Sequence, residues 1–94
     1  MQIRRHSQFK KDYKKFCKSG YRVKERTNLF EDILNELLKG NNLDRNFEDH
    51  PLTGKWRDFR ECHIESDFLL IYRINKHLRI IELARIASHS ELFD

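Results

Sequence analysis

Apolar residues in the first part of the chain recur at the spacing of a helix. We expect a short strand over Gln2–Arg5, followed by a segment in which lysines separate apolar residues at Phe9, Tyr13, Phe16 and Cys17. That period predicts an amphipathic helix with one apolar and one basic face. Ser7 is the expected N-cap, and Ser19-Gly20 is the expected end, because glycine adopts the left-handed backbone conformation that terminates helices.

A second helical period follows over residues 22–39 and ends at Gly40. Its apolar positions are Val23, Thr27, Phe30, Ile33, Leu34, Leu37 and Leu38. The two predicted helices form a hairpin. Between residues 40 and 55 the period is lost, and the Asn, Asp, Gly and Pro residues there predict a loop.

The last part of the chain has the pattern of β-strands. Strands are predicted over residues 56–65, 68–74 and 78–87, with turns at Ser66-Asp67 and Asn75-Lys76. The middle run is almost continuously apolar, which is typical of a central strand covered on both faces. The pattern predicts an α+β domain spanning residues 1–94, in which the helix hairpin packs on a small, mostly antiparallel, four-stranded sheet.

Composition supports a single folded domain. Hydrophobic residues make up 38% and charged residues 36% of 94 residues, a balance typical of a globular protein. No apolar run is long enough to span a bilayer or to act as a signal peptide, so we expect a soluble protein of the cytoplasm that does not act at a membrane. Cys17 and Cys62 fall in apolar periodic segments and are expected to be free thiols.

Positive charge is concentrated at the N-terminal end. Residues 1–28 hold ten Lys or Arg and two acidic residues, a net charge of +8, whereas the remaining nine basic and thirteen acidic residues give −4. The basic helix face carries Lys10, Lys11, Lys14 and Lys15. Such a face suits a polyanion, because neutralised phosphates release counterions. A solvated face that only keeps the protein soluble is the alternative interpretation.

Three histidines in the second half are candidates for proton transfer. His50, His63 and His89 each lie near a carboxylate or a cation in sequence. Imidazole both gives and takes a proton near neutral pH, since its ordinary pKa is about 6.5. A basic protein with such residues is a candidate ribonuclease.

The motifs around these histidines carry a family resemblance. The string HPLTGKW begins at His50, His63 and Asp67 are four residues apart, and Leu92-Phe93 follow His89. Over essentially the whole chain, this arrangement resembles the YafQ branch of the RelE-like toxins, which are RNA-cleaving toxins of bacterial type II toxin–antitoxin pairs.

The resemblance implies a microbial RNase-like fold and cleavage of messenger RNA on the ribosome, without a cofactor. It also implies neutralisation by an acidic antitoxin, with operator DNA bound only through the antitoxin complex. Phe93 is implied to stack on or support the substrate base, and the lysine face to bind either ribosomal RNA or the antitoxin.

Metal-free RNA cleavage requires a base, a cation that holds the phosphate, and an acid that protonates the leaving oxygen. His63 and Asp67 share strand parity if the strand continues into the turn, and either is a candidate base. Arg85 is the candidate phosphate-binding cation, since a guanidinium offers paired donors. His89, in a C-terminal tail, is the candidate acid, and His50 would relay protons or position the substrate.

Two alternatives compete with this hypothesis. The three histidines with a water would make a catalytic zinc site, but no closely spaced histidine pair favours one, so we expect no metal. A non-catalytic inhibitor or an RNA-binding protein on the same fold would need no group of histidines. The chain also departs from some family members by carrying Phe68, not tryptophan, after Asp67.

Overall fold

The computed structural model describes residues 1–18, 20–65 and 67–93. Within those ranges the chain forms two long helices, a short C-terminal helix and five strands. In chain order these are β1 (Gln2–Arg5), α1 (Ser7–Phe16), α2 (Val23–Leu38), β2 (His50–Pro51), β3 (Arg60–Glu65), β4 (Phe68–Asn75), β5 (Ile80–Ser88) and α3 (His89–Phe93). The α+β class is therefore as predicted. None of the described helices is long and apolar enough to cross a membrane.

The sheet is larger than predicted and mixed. Its five strands lie in the order β1-β5-β4-β3-β2, with β1 parallel to β5 and every other pair antiparallel. The predicted four-stranded sheet was wrong by one strand, because β2 lies in the segment assigned to a loop. Two residues, one of them Pro51, are too few to show an alternating pattern.

The helices cover one face of the sheet side by side. Helix α1 lies over β5 and α2 over β3. Their aromatic side chains meet at Phe30, whose ring lies 6.1 Å from that of Phe9, 5.5 Å from that of Tyr13 and 6.2 Å from that of Phe16. The core beneath them includes Ile33, Cys62, Leu70, Tyr72, Ile81 and Leu83. The predicted hairpin is thus a helical layer in which each helix packs on a different strand.

Several predicted element ends shift by a few residues. Ser7 is the first helical residue and not the N-cap; the preceding His6 is extended, and its side chain makes no capping hydrogen bond. Its imidazole is bonded instead to Glu82 of β5. Gly20 has the predicted left-handed conformation (φ +67°), whereas Ser19 lies outside the described residues.

Two strands start later in the structure than the sequence pattern predicted. Residues Gly54–Trp56 form a 3-10 turn, so β3 starts at Arg60, and β5 starts at Ile80 after a turn that ends with Arg79 in the left-handed region (φ 56°). The turn between β3 and β4 contains Asp67, but Ser66 lies outside the described residues. Both cysteines are free, as predicted: Cys62 is buried and Cys17 half-buried.

Register shifts interrupt two strand pairs beside the histidines. One lies between His63 and Glu65 of β3. In the other, Ile71 and Tyr72 pair with Arg85 and Leu83, which leaves Ala84 as an extra residue in β5. A bulge re-aims the side chains that follow it. Arg85, directly after the extra residue, is turned toward α1.

Candidate active site

His50 and His63 converge on one buried carboxylate. His50 of β2 is paired with Glu61 of β3, and His63 lies two residues further along β3, so all three side chains share a face. The Nε2 atoms of His50 and His63 lie 3.5 and 3.7 Å from the same oxygen, Oε1 of Glu61. Glu61 is only 5% exposed. The two rings therefore face a negative charge that is shielded from water.

Glu48 holds the other nitrogen of each ring. Its backbone carbonyl oxygen lies 2.6 Å from His50 Nδ1, and its carboxylate lies 3.3 Å from His63 Nδ1. Both oxygens can only accept, so each Nδ1 carries the hydrogen. Each Nε2 also faces a carboxylate oxygen, so a proton that Nε2 takes up lies against Glu61 and the resulting imidazolium has an acceptor at both nitrogens, which suits a general base.

A second network fixes the segment that carries His50. Asp49 accepts hydrogen bonds from Tyr72 Oη (2.6 Å), Arg60 Nε (3.2 Å) and Arg60 Nη2 (3.1 Å). Burial, followed by the hydrogen bond to Asp49, raises the pKa of the Tyr72 phenol far above its usual range. Tyr72 therefore stays a neutral donor, and Asp49 anchors β2 to the centre of the sheet.

Asp67 contacts the backbone of the C-terminal helix. The His89 N–H donates to the carbonyl oxygen of Asp67 at 3.2 Å and to its Oδ1 at 3.3 Å. Strand β3 ends at Glu65, so the shared strand parity predicted for His63 and Asp67 does not extend to the aspartate. The structure thus joins Asp67 to His89.

The predicted C-terminal tail is the short helix α3, and a capping box holds its start. Ser88 donates to Glu91 Oε1 through N–H (3.1 Å) and Oγ–H (3.0 Å), and Glu91 N–H donates to Ser88 Oγ (3.3 Å). Lys15 of α1 donates to Glu91 Oε2 at 3.0 Å. Lys15 and the Ser88 donors lower the pKa of Glu91 to about 2. Within α3 the rings of His89 and Phe93 lie 5.1 Å apart.

Arg85 is paired with a carboxylate of α1. Its Nε donates to Asp12 Oδ2 (2.7 Å) and its Nη2 to Asp12 Oδ1 (3.1 Å). These hydrogen bonds raise the pKa of the guanidinium, which remains charged. Glu82, three residues earlier in the chain, binds Arg73 and His6 and not Arg85. Arg85 Nη1 has no protein partner in the described part of the chain.

The structure therefore gathers the predicted site residues into three groups. His50 and His63 share Glu61, Asp67 joins His89 and Phe93, and Arg85 is held by Asp12. The four predicted lysines lie on the exposed face of α1, and Lys15 links that face to α3. Across residues 1–18, 20–65 and 67–93, no three His, Cys, Asp or Glu side chains are arranged to hold a metal ion.

Sequence reasoning missed the carboxylates that support these groups. Glu61 stands two residues before His63, a spacing that places both on one strand face. Glu91 stands three residues after Ser88, the spacing of a capping box. Asp12 is the one acidic residue of α1, and it is 6% exposed. Glu61 and Glu91 therefore had a local signal, whereas no sequence pattern marked Glu48 or the pairing of Asp12 with Arg85.

Comparisons with known proteins agree on one family. The model of a family described as the bacterial toxin of a type II toxin–antitoxin system, YafQ, matches residues 1–94. A protein of Escherichia coli K12 named mRNA interferase toxin YafQ is 36% identical over 47 residues, which are 50% of this chain and 49% of the relative. That alignment spans about half the length of the curated relative.

Solved structures match over nearly the full length. A metal-bound toxin from Helicobacter pylori is 39% identical, with a TM-score of 0.84 and 99% of each chain covered. The toxin fold in the DinJ–YafQ complex of E. coli is 28% identical, with a TM-score of 0.83 and coverage of 99% and 98%. The resemblance inferred from the motifs is thereby confirmed.

Proposed function

This chain belongs to the YafQ family of bacterial type II toxins, and on that premise we propose that it is an endoribonuclease that cleaves messenger RNA on the ribosome and blocks translation. One observation carries the proposal. Two imidazoles, each with Nδ1 bound to an acceptor, direct Nε2 toward one buried carboxylate. A protein that only blocks a partner by contact has no need of this arrangement.

In the proposed reaction His63 is the general base. Its Nε2 takes the proton of the ribose 2′-hydroxyl, and the freed oxygen attacks the adjacent phosphorus. The bond from phosphorus to the 5′-oxygen breaks, which leaves a 2′,3′-cyclic phosphate. Glu48, at Nδ1, orients the ring as the carboxylate does in a catalytic triad, and the nearby carboxylate of Glu61 stabilises the imidazolium that forms. His50, facing the same carboxylate, positions the 2′-hydroxyl or relays its proton.

His89 is the proposed general acid, which gives its proton to the departing 5′-oxygen. Asp67 positions it by accepting its backbone N–H. Arg85 would stabilise the charge on the phosphate through its unbonded Nη1, while Asp12 fixes the orientation of the guanidinium. Phe93, 41% exposed beside His89, would stack on the neighbouring base, an interaction worth about 1–3 kcal/mol. These steps require no metal.

The proposed partners follow from charge and from the family. The lysine face of α1 would bind ribosomal RNA phosphates, and an acidic antitoxin would neutralise the toxin in the cytoplasm. A DinJ–YafQ complex is known for the E. coli toxin. The complex, and not the toxin alone, would bind operator DNA.

The test compares His89→Ala with the unaltered chain and with His77→Ala. His77 lies in the exposed turn before β5 and serves as a matched control for the loss of an imidazole. On ribosomes programmed with a defined message, we expect His89→Ala to cut about 10²–10⁴-fold more slowly, because it removes the general acid. We expect His77→Ala to cut at the normal rate. Equal cleavage by all three proteins, or growth arrest with intact messenger RNA, would refute the proposal.

A further inference from the structure

The described part of the chain has three buried carboxylates, and one of them lies outside the proposed active site. Asp12 and Glu61 hold the arginine and the histidines of that site. The third, Glu82, is 8% exposed and accepts hydrogen bonds from Arg73 Nε (2.8 Å) and His6 Nε2 (3.1 Å). The proposed reaction leaves this third group without a role.

Glu82 and Arg73 lie on the same face of the sheet as the histidine pair. Tyr72 of β4 packs in the core beneath the helices, so its neighbours Ile71 and Arg73 lie on the opposite face. Ile71 is paired with Glu61 of β3, and Arg73 is paired with Glu82 of β5. Arg73 therefore lies two residues beyond the level of Glu61, roughly 7 Å further in the strand direction.

The guanidinium of Arg73 is held on two sides, but only one of its nitrogens is bonded. Its Nε donates to Glu82, and its central carbon lies 4.6 Å from the centre of the Phe59 ring. The Phe59 ring in turn meets Trp56 edge-on, with 5.3 Å between the ring centres. Neither Nη of Arg73 is hydrogen-bonded within residues 1–18, 20–65 and 67–93, and the side chain is 37% exposed. Arg73 thus presents a positioned pair of N–H donors.

The charge around this guanidinium suits a phosphate. Arg73 is the one basic residue of β4, and Arg4 of β1, which is exposed, is the register partner of Glu82. These two arginines and Glu82 together carry one net positive charge. The paired donors of a guanidinium match the oxygens of a phosphate. An RNA strand cut beside the histidines carries further phosphates on both sides of the cut, and these need cations on the same face.

We propose that Arg73 binds the phosphate of a nucleotide that flanks the cut, and that Glu82 and Phe59 are positioning residues for its guanidinium. The two Nη groups would donate to the phosphate oxygens while Nε stays on Glu82. This subsite would hold the message in register with the histidine pair and take no part in proton transfer. The inference rests on the proposed function, because it names part of the surface that would bind the message.

The first experiment measures binding of a labelled single-stranded RNA in which every ribose is 2′-O-methylated. The blocked 2′-oxygen cannot attack, so binding is measured whether or not the chain is a nuclease. We expect Arg73→Gln to bind about tenfold more weakly and with a shallower salt dependence, because one phosphate contact is lost. Lys39→Gln removes the same charge from the end of α2, on the other side of the sheet, and should change neither.

Arg73→Lys keeps a positive charge beside Glu82 and serves if Arg73→Gln fails to fold, as checked by circular dichroism. The lysine variant should keep the salt dependence of the unaltered chain and bind roughly threefold more weakly, because an ammonium lacks the paired donors. A carboxylate of a protein would fit the same donors as a phosphate. If that were the ligand of Arg73, neither variant would change RNA binding.

The second experiment locates the phosphate on ribosomes programmed with a defined message. In a series of messages, one phosphate at a time beside the mapped cut is replaced by a neutral methylphosphonate. We expect one replacement to raise the KM of the unaltered chain and of Lys39→Gln, and to have no further effect on Arg73→Gln. The kcat of Arg73→Gln should stay close to normal, because the residue takes no part in proton transfer.

The proposal is overturned if Arg73→Gln binds the methylated RNA as tightly as Lys39→Gln, or if it binds more weakly with an unchanged salt dependence. It is also overturned if every methylphosphonate affects the unaltered chain and Arg73→Gln equally. Absence of cleavage by every protein, together with the expected difference in binding, would refute the ribonuclease proposal and support the phosphate subsite.

Discussion

The most informative single change is Asp12→Ala, because Asp12 accepts four hydrogen bonds beside the proposed phosphate-binding arginine. Two come from Arg85, one from Gln8 Nε2 (3.0 Å) and one from the backbone N–H of Ile86 (3.2 Å). Alanine would leave the buried Ile86 N–H without an acceptor, at a cost of about 1–3 kcal/mol. It would also leave the guanidinium unpaired.

Loss of the ion pair adds less than the full buried value. Breaking a fully buried pair costs about 3–5 kcal/mol, but the Arg85 side chain is 24% exposed and is partly solvated by water. We therefore expect Asp12→Ala to lower the free energy of unfolding by about 3–4 kcal/mol in total, out of roughly 5–15 kcal/mol for such a domain. Asp12→Asn keeps an acceptor for Ile86 and should cost about half as much.

Urea unfolding followed by far-UV circular dichroism measures these differences as shifts of the midpoint at constant slope. Asp32→Ala, at an exposed position of α2, is the matched control and should stay within about 0.5 kcal/mol. A double-mutant cycle with Arg85→Ala isolates the interaction between Asp12 and Arg85, and the coupling energy should exceed about 1 kcal/mol. If Asp12→Ala costs no more than Asp32→Ala, the network does not hold Arg85 in place.

Three further predictions address the site and its surroundings. Glu61→Gln should slow cleavage at least about tenfold, because the neutral amide no longer stabilises an imidazolium; Glu25→Gln on α2 is the control, and equal rates would remove Glu61 from the mechanism. The lowered pKa of Glu91 stabilises the fold fully above its ordinary pKa of 4.5 and progressively less as pH falls toward about 2. Glu91→Gln should therefore be less stable than the unaltered chain at pH 6, by about 1 kcal/mol or less because the Glu91 side chain is 42% exposed. This difference in stability should shrink on acidification. A difference that stays constant with pH would show that the charge of Glu91 is not its cause. The last prediction replaces four lysines of α1 with glutamine, namely Lys10, Lys11, Lys14 and Lys15. The variant should bind ribosomes more weakly, and its affinity should depend less steeply on salt concentration. An unchanged salt dependence would exclude phosphate contacts by these lysines.

Burial explains which parts of the fold the sequence predicted. The spacing of Phe9 and Phe16 follows from a helix that must place one face on the sheet, and both are almost fully buried. The apolar run of β4 follows in the same way from its central place between β3 and β5. Where a whole face is buried, the period of the structure is imposed on the sequence.

Features that depend on individual long-range contacts were not predicted. Strand β2 exists because His50 and Pro51 pair with β3, and the parallel placement of β1 depends on β5, which is remote in sequence. The partner of Arg85 was also beyond local reasoning, since Asp12 and Arg85 are 73 residues apart. Pairings of this kind depend on the assembled sheet and leave no periodic signal.

In the candidate site, too, local sequence patterns were predictive and long-range contacts were not. The motif around His50 and the spacing of His63 and Asp67 were sufficient to identify the family. The shared carboxylate between His50 and His63 required the pairing of β2 with β3, and the position of His89 required the contact of α3 with Asp67. The catalytic roles assigned from the sequence remain predictions.

The pairing of β1 with β5 has a consequence for the synthesis of a protein proposed to cut messages on ribosomes. His6 contacts Glu82, 76 residues later in the chain, and His89 comes later still. A nascent chain that has not yet reached β5 can neither seat its first strand nor present the proposed acid. Such a fragment would leave intact the message from which it is being translated, so the proposed cleavage would begin only once the C-terminal segment is available to fold.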